Sequence, residues 1–391
     1  MSSSAFPSSP ALPPSERILV RGANWLGDAV MTTPALQRLR EARPNAHITL
    51  LTAGKLADLW LHHPDIDAVL AFTREESIFQ IARRLRKERF DTALLFPNSP
   101  RSALEVFLAR IPQRIGYARP WRNFFLTQRV VPHSEATLMR KRSVGEIKSL
   151  IDRAGQTSPA KFPAAAHHIY HYLQLVSALG AKSAPVPPRL IVTAAEVEKL
   201  RQKFQLPVEP SETRPWFGLN PGAEYGPAKR WPAERYIATA IELQRRTHCR
   251  WLIFGGEADV ELAARIAEAL RRSGPNEASS LPSVVPLAGR TTLRELCAAL
   301  KICSVVITND TGPMHVAAAV GTPVVALFGS TSSELTAPGL PGDPQHALLK
   351  SDAPCAPCFL RECPIDFRCM QGLPADAVIA AVLKLISQCS R

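Results

Sequence analysis

No apolar run in this 391-residue chain approaches the roughly 20 residues of a membrane-spanning helix, which excludes an integral helical membrane protein. Acidic residues are the scarcer charge: 34 Asp and Glu stand against 47 Lys and Arg, a formal +13. The scarcity is local. Residues 1–190 carry 26 basic and 14 acidic side chains, a net +12, whereas residues 191–391 carry 21 and 20, a net +1. Unless it reflects composition alone, such a basic half meets something polyanionic, either nucleic acid or an anionic membrane surface. Residues 1–16 have no basic residue and no apolar core, and both are needed in a secretory signal. Their six Ser and four Pro predict a disordered tail, and the expected location is cytoplasmic. Eight cysteines are too few for a disulfide scaffold in a chain of this length.

Two series of alternating strands and helices can be read. The first has strands at 18–23, 47–52 and 91–96, with helices at 34–42, capped by Thr33, and near 77–88. The stretch 139–165 reads as a basic helix and loop, and 181–188 as a linker. The second series has strands at 216–220, 250–255, 305–308 and 324–328. Its helices lie at 260–271, after a Thr292–Glu295 capping box, near 313–320 and at about 375–388. Apolar strands alternating with helices imply parallel sheets covered on both faces. The expectation is an α/β protein of two Rossmann-like domains facing across a cleft: 17–185 and 190–374, with a C-terminal helix at 375–391. Ligands of such sheets bind beyond the carboxyl ends of the strands, so the loops there are where chemistry is sought.

No G-x-G-x-x-G fingerprint is present, and the one near phosphate loop is incomplete. Gly22 and Gly27 have the right spacing, but Asp28 and Ala29 stand where Lys and Ser/Thr belong. A carboxylate there repels a nucleoside triphosphate. Asp28 is then either a general base on a Gly-hinged turn or the cap of the next helix. In the second half, Asn309-Asp-Thr-Gly-Pro-Met-His315 follows a buried strand and opens a helix, which makes an anion site or an ordinary cap. There Gly312 would let a phosphate approach the backbone. Asn220–Pro232, with Lys229 and Arg230, is a second phosphate-suited loop, and Glu257 lies in a third where it could accept from ribose or base. Two such loops from neighbouring strands suggest a nucleoside diphosphate.

Together, residues 22–30, 220–232 and 308–315 resemble the motifs of the lipopolysaccharide heptosyltransferases, the ADP-heptose glycosyltransferases of family 9 with the GT-B fold. The similarity runs from about 17 to 389, and the Asn24–Asp28 motif and late cysteines are nearer the II type than the I type. The resemblance implies that Asp28 is the catalytic base of an inverting transfer. It implies that Lys229, Asp310, Thr311, Gly312 and His315, with Glu257 by loop position, hold the ADP-heptose donor. Asn24, Asn98 and Ser99 are acceptor-side candidates. The implied acceptor is the heptosyl-Kdo2-lipid A inner core, which makes the enzyme peripheral on the cytoplasmic face of the inner membrane, with no nucleic-acid partner. The basic half would then dock acceptor and leaflet. A type I or III transferase with a different core acceptor is the alternative, and a basic nucleic-acid-binding protein is the remote one. The latter lacks any RNP, KH, zinc-finger or helix-turn-helix signature.

No cofactor is expected for the transfer. One constellation stands apart: Cys355, Cys358, Cys363 and Cys369, four thiols within 15 residues. Their spacing admits a structural zinc site, reduced thiols or a disulfide.

Overall fold

The computed structural model describes residues 16–133, 137, 139–153, 162–207, 214–273 and 283–389. The expected Ser/Pro tail therefore lies outside the described residues, except for Glu16, and so does part of the basic 139–165 stretch.

Twelve strands form two six-stranded, wholly parallel sheets among the described residues. The first contains β1 (Arg17–Arg21), β2 (His47–Ala53), β3 (Ala68–Phe72), β4 (Thr92–Leu95), β5 (Gln113–Tyr117) and β6 (Gln128–Val130) in the order β3-β2-β1-β4-β5-β6. The second contains β7 (Trp216–Asn220), β8 (Arg250–Ile253), β9 (Val284–Pro286), β10 (Val305–Asn309), β11 (Val324–Phe328) and β12 (His346–Lys350). Its order is β12-β11-β10-β7-β8-β9. The second order repeats the first: in each half the earliest strand lies beside the fourth, and the chain winds away in opposite directions from that pair. This is the doubly wound arrangement, whose ligand crevice opens at the reversal. The central strands β1, β4, β7, β8, β10 and β11 are buried along almost their whole length, as a sheet covered on both faces requires.

The strands that sequence patterning overlooks are β5 and the four sheet edges. β6 and β12 carry polar or charged residues and β9 is three residues long, so none of these presents the continuous apolar run of a central strand; β3, Ala68–Phe72, is wholly apolar in sequence yet largely half-buried at its edge.

In the first half, α1 (Leu26–Met31) runs directly into α2 (Thr33–Ala42). Thr32 rather than Thr33 is the junction, and Thr33 lies inside the helix, where its hydroxyl donates to Val30 O at 2.9 Å. α3 (Ile78–Lys87) starts at a Ser77–Gln80 capping box, and α4 (Pro100–Leu108) is capped by Ser99. α5 (Val144–Asp152) is the expected basic-segment helix, with a Ser143–Glu146 capping box. α6 (His168–Ser177) packs against α1 and α2, and α7 (Ala194–Phe204) leads into the second half. There α8 (Ala233–Thr247), α9 (Val260–Ser273), α10 (Leu293–Lys301) and α11 (Gly312–Ala319) connect the strands. The Thr292–Glu295 capping box is formed as expected, with Glu295 N–H donating to Thr292 Oγ1 at 3.2 Å. Short α12 (Ser333–Thr336) and α13 (Arg368–Gln371) precede α14 (Ala375–Cys389), which packs on the second sheet.

The halves meet where α1 faces α11. A Cβ at Gly27 would sit 2.7 Å from His315 Cδ2, and one at Gly312 would sit 2.8 Å from Leu26 Cβ. Each helix start therefore carries a glycine where the opposite half presses in. The smallness of Gly312 serves this approach to Leu26, a reason different from the phosphate access expected of it.

Candidate active site between the two sheets

A cleft of about 860 Å³ lies beyond the carboxyl ends of the strands, lined by both halves. From the first half it takes Gly27, Asp28, Lys141 and His168; from the second it takes Lys229, Glu257, Asp310, Thr311, Gly312, His315 and Thr331, among others. The candidate base and all six candidate donor residues thus face one space. The second-half motifs follow β7 and β10, the neighbouring strands at which that sheet reverses direction.

Asp28 occupies the first turn of α1, with its side chain about one-third exposed. The cap reading is not realised: Trp25 is the N-cap and no side chain caps the helix. His168 Nδ1 lies 3.9 Å from Asp28 Oδ1. One turn along α6, the Tyr172 hydroxyl lies against the same carboxylate. Burial, and then the Asp28 charge, push the Tyr172 phenol well above its ordinary value. His168 also stacks on His171, with ring centroids 5.3 Å apart, and burial holds the His171 imidazole down to about 4.

Across the cleft, Lys229 Nζ is 2.6 Å from Asp310 Oδ2 and 3.1 Å from Asp310 O. Thr331 Oγ1 donates to Asp310 Oδ2 at 2.6 Å. Burial opposes the Asp310 charge, but Lys229 and Thr331 outweigh it and hold the carboxyl below its ordinary value. Asp310 is therefore committed to a buried ion pair, not to capping α11. Thr311, the N-cap residue, makes no capping bond with its side chain either; its hydroxyl instead accepts from Asn220 Nδ2 at 2.9 Å. The first turn of α11 thus begins at the cleft wall with no side-chain cap, as an anion-receiving helix start does. His315, in the same turn, is buried, and desolvation holds its imidazole down to about 4 despite Asp310 and Asp28. It is neutral at pH 7.

Asparagines lock the strand-end loops. Asn309 Oδ1 accepts from Trp231 N–H at 3.1 Å and from the Tyr236 hydroxyl at 3.0 Å, while its Nδ2 donates to Pro221 O and Gly222 O. Asp259 accepts from Arg230 Nη2 at 3.3 Å and from Gly256 N–H at 3.1 Å, which holds the turn that carries Glu257. These supports lie scattered along the chain. Only their positions at strand ends signal them, a signal that also reaches Thr331 just after β11.

Asn24, Asn98 and Ser99 follow β1 and β4, the pair at which the first sheet reverses, but they are not among the residues lining the cleft. Asn24 Oδ1 accepts from Arg21 Nη1 at 3.2 Å, Asn98 Oδ1 accepts from the buried Arg122 Nη1 at 3.1 Å, and Ser99 caps α4.

The four cysteines of 353–369 surround a separate void of about 10 Å³. Cys355, Cys358 and Cys369 are buried and Cys363 partly so; all four are free thiols, which excludes the disulfide alternative for them here. Among the described residues no group of three or more His, Cys, Asp or Glu is arranged to hold a metal ion, so the geometry does not support the structural zinc. Burial raises the Cys355, Cys358 and Cys369 thiols, the last to about 12, and keeps them protonated.

The comparisons with known proteins agree with this architecture. The family Glycosyltransferase family 9 (heptosyltransferase) matches residues 78–367, and the chain belongs to it. It is 30% identical over 328 residues to lipooligosaccharide heptosyltransferase 2 of Haemophilus influenzae, covering 82% of this chain and 85% of the relative. It is equally 30% identical to lipopolysaccharide heptosyltransferase 2 of Escherichia coli K12, over 82% and 85%. Among solved structures, E. coli ADP-heptose LPS heptosyltransferase II superposes with a TM-score of 0.74 at 26% identity, covering 96% of this chain and all of the other. The chain is thus a glycosyltransferase with two Rossmann-like halves in the GT-B arrangement.

Proposed function

We propose that this enzyme moves a heptose from ADP-heptose to the heptosylated Kdo–lipid A inner core in lipopolysaccharide biosynthesis, with inversion at the anomeric carbon. The observation that carries the reading is that Asp28 shares one cleft with the uncapped α11 start and the Lys229–Asp310 pair. Asp28 takes the proton from the attacking acceptor hydroxyl as the oxygen bonds to the anomeric carbon. The bond to the diphosphate breaks on the opposite face, and ADP leaves carrying the electron pair. The α11 N–H groups, with Thr311 and Gly312, meet the charge that develops there. His315, neutral at pH 7, shapes the donor side of the cleft together with the Glu257 side chain. The reading includes no cofactor and no metal for the transfer; full activity after exhaustive chelation is the expected outcome.

The basic first half docks the acceptor. Kdo carboxylates and lipid A phosphates are anionic, and each Lys or Arg near an anionic leaflet contributes about 1 kcal/mol. Among the described residues no helix is long and apolar enough to cross a membrane; the proposed attachment is peripheral and electrostatic, through the basic half. Incubating the enzyme with ADP-heptose and defined core acceptors tests the reading by mass. Gain of one heptose on the heptosyl-Kdo2 acceptor supports it, and gain only on the unheptosylated core overturns it in favour of type I chemistry. Sedimentation with acceptor-bearing anionic liposomes tests the docking: binding indifferent to salt removes it.

A further inference from the structure

Both cations of the Asn220–Pro232 motif are already paired with carboxylates. Lys229 is the cation that the motif supplies, yet it is bonded to Asp310 at 2.6 Å, with side-chain exposures of 13% and 5%. That pair sums to no charge. Arg230 is likewise engaged, with Asp259 at 3.3 Å. A departing nucleoside diphosphate gains negative charge, and the cleft must meet it with more than a neutral pair and a helix start.

A cation without a carboxylate partner reaches the cleft from the cysteine segment. Arg361 lines the cleft, and among the described residues its guanidinium makes no ion pair. Its main chain is fastened to the Asn220–Pro232 loop. Ala228 N–H donates to Arg361 O at 2.9 Å, and the Tyr225 hydroxyl donates to Phe359 O at 2.8 Å. Gly226, at a φ of 152°, faces the Arg361 carbonyl so closely that no side chain fits between them. This contact brings two cations onto one aromatic ring. Lys229 Nζ lies 4.9 Å and Arg361 Cζ 5.2 Å from the centroid of Tyr225. The ring quadrupole steadies both charges, but Lys229 is already neutralised by Asp310, which leaves Arg361 as the cation of the two with no carboxylate partner. The cysteine segment then has a role that needs no metal: its buried thiols and the Cys358 and Phe359 N–H bonds to Ser330 O set the loop that carries Arg361.

We propose that Arg361, seated over Tyr225, binds the diphosphate of the nucleotide-sugar donor and of the departing nucleotide. The inference rests on the ADP-heptose reading above. A guanidinium offers a planar fork to phosphate oxygens that an ammonium does not.

The test is binding of ADP and of adenosine to the wild type, Arg361→Met and Arg361→Lys, by calorimetry and by NMR titration. Loss of a charged hydrogen bond predicts about 10- to 100-fold weaker ADP binding in Arg361→Met, adenosine binding unchanged, and partial recovery in Arg361→Lys. ADP binding by Arg361→Met within twofold of wild type overturns the inference and leaves the ADP-heptose reading standing. Parallel loss of ADP and adenosine binding also overturns it, because the residue then only supports the Tyr225 loop. A wild type that does not bind ADP overturns both.

Discussion

Replacing Asp28 by Asn separates its chemistry from its structure. The amide keeps the size and polarity of the carboxylate but does not accept the acceptor's proton. A positioned general base contributes about 10²- to 10⁴-fold, or roughly 3 to 5.5 kcal/mol of barrier, and kcat is expected to fall by that factor. The stability cost is small. The side chain is about one-third exposed, caps nothing and sits in the first turn of α1, and the amide oxygen can still accept from the Tyr172 hydroxyl, so the main loss is a charge–dipole interaction of about 0.3 to 1 kcal/mol. The diphosphate-facing groups lie on the other half, so ADP affinity should remain within about threefold of wild type, by the ordinary scatter of neutral substitutions. Single-turnover transfer to the lipid-linked acceptor, followed by mass, reads the chemical step, and calorimetry with ADP reads binding. A variant that transfers heptose within fivefold of wild type refutes the base assignment. One that loses ADP affinity in step with kcat reassigns Asp28 to donor binding.

Other perturbations probe the frame around the site. Lys229→Met strands Asp310 as a buried, unpaired carboxylate and should cost about 3 to 5 kcal/mol in urea unfolding; a loss under 1 kcal/mol means that Asp310 is solvated when left alone. Gly27→Ala drives a methyl into His315 at 2.7 Å, with an overpacking cost of about 1 to 3 kcal/mol. Both Tm and kcat/KM should fall, and an unchanged Tm would show that the two helix starts have room to part. Stability should also depend on mild acid. Burial holds His167 down to about 3 and His63 and His315 down to about 4, below their unfolded value of about 6.5. The unfolded chain takes up protons first, so stability is full above about pH 6.5 and declines as pH falls towards 4, by up to roughly 2 kcal/mol per histidine at pH 5. A Tm that stays flat from pH 7 to 5 contradicts this.

The central strands and the three loop motifs were legible because each combines a local apolar run with an unusual turn. β7 ending in Asn220 and β10 ending in Asn309 announce themselves in this way. Edge strands such as β6, of three residues, do not. Side chains that join the site through tertiary contact were equally silent. His168 lies in an ordinary helix 140 positions from Asp28, and only the packing of α6 on α1 brings them within 3.9 Å. Nothing in the spacing of Lys229 and Asp310, 81 positions apart, signals that they pair, and Asp310 is a partner of the lysine before any donor arrives. Arg361 is equally silent in the sequence: it stands among cysteines whose spacing suggests sulfur chemistry, and only the fold places it over Tyr225.

The basic segment around α5 belongs by sequence to the first half but docks on the second. Arg142 donates its N–H to Cys358 O and its guanidinium to Cys355 O, both at 3.0 Å, and Ile147 packs beside those cysteines. The two halves are therefore not freely exchangeable parts. A chimera taking its acceptor half from one relative and its nucleotide half from another would have to inherit residues 140–153 together with 353–369. A crossover placed between them would sever an interface that neither parent had tested in that combination. Recombination within this family is expected to preserve that pair as a unit, even where the linker at 181–188 offers the simpler place to cut.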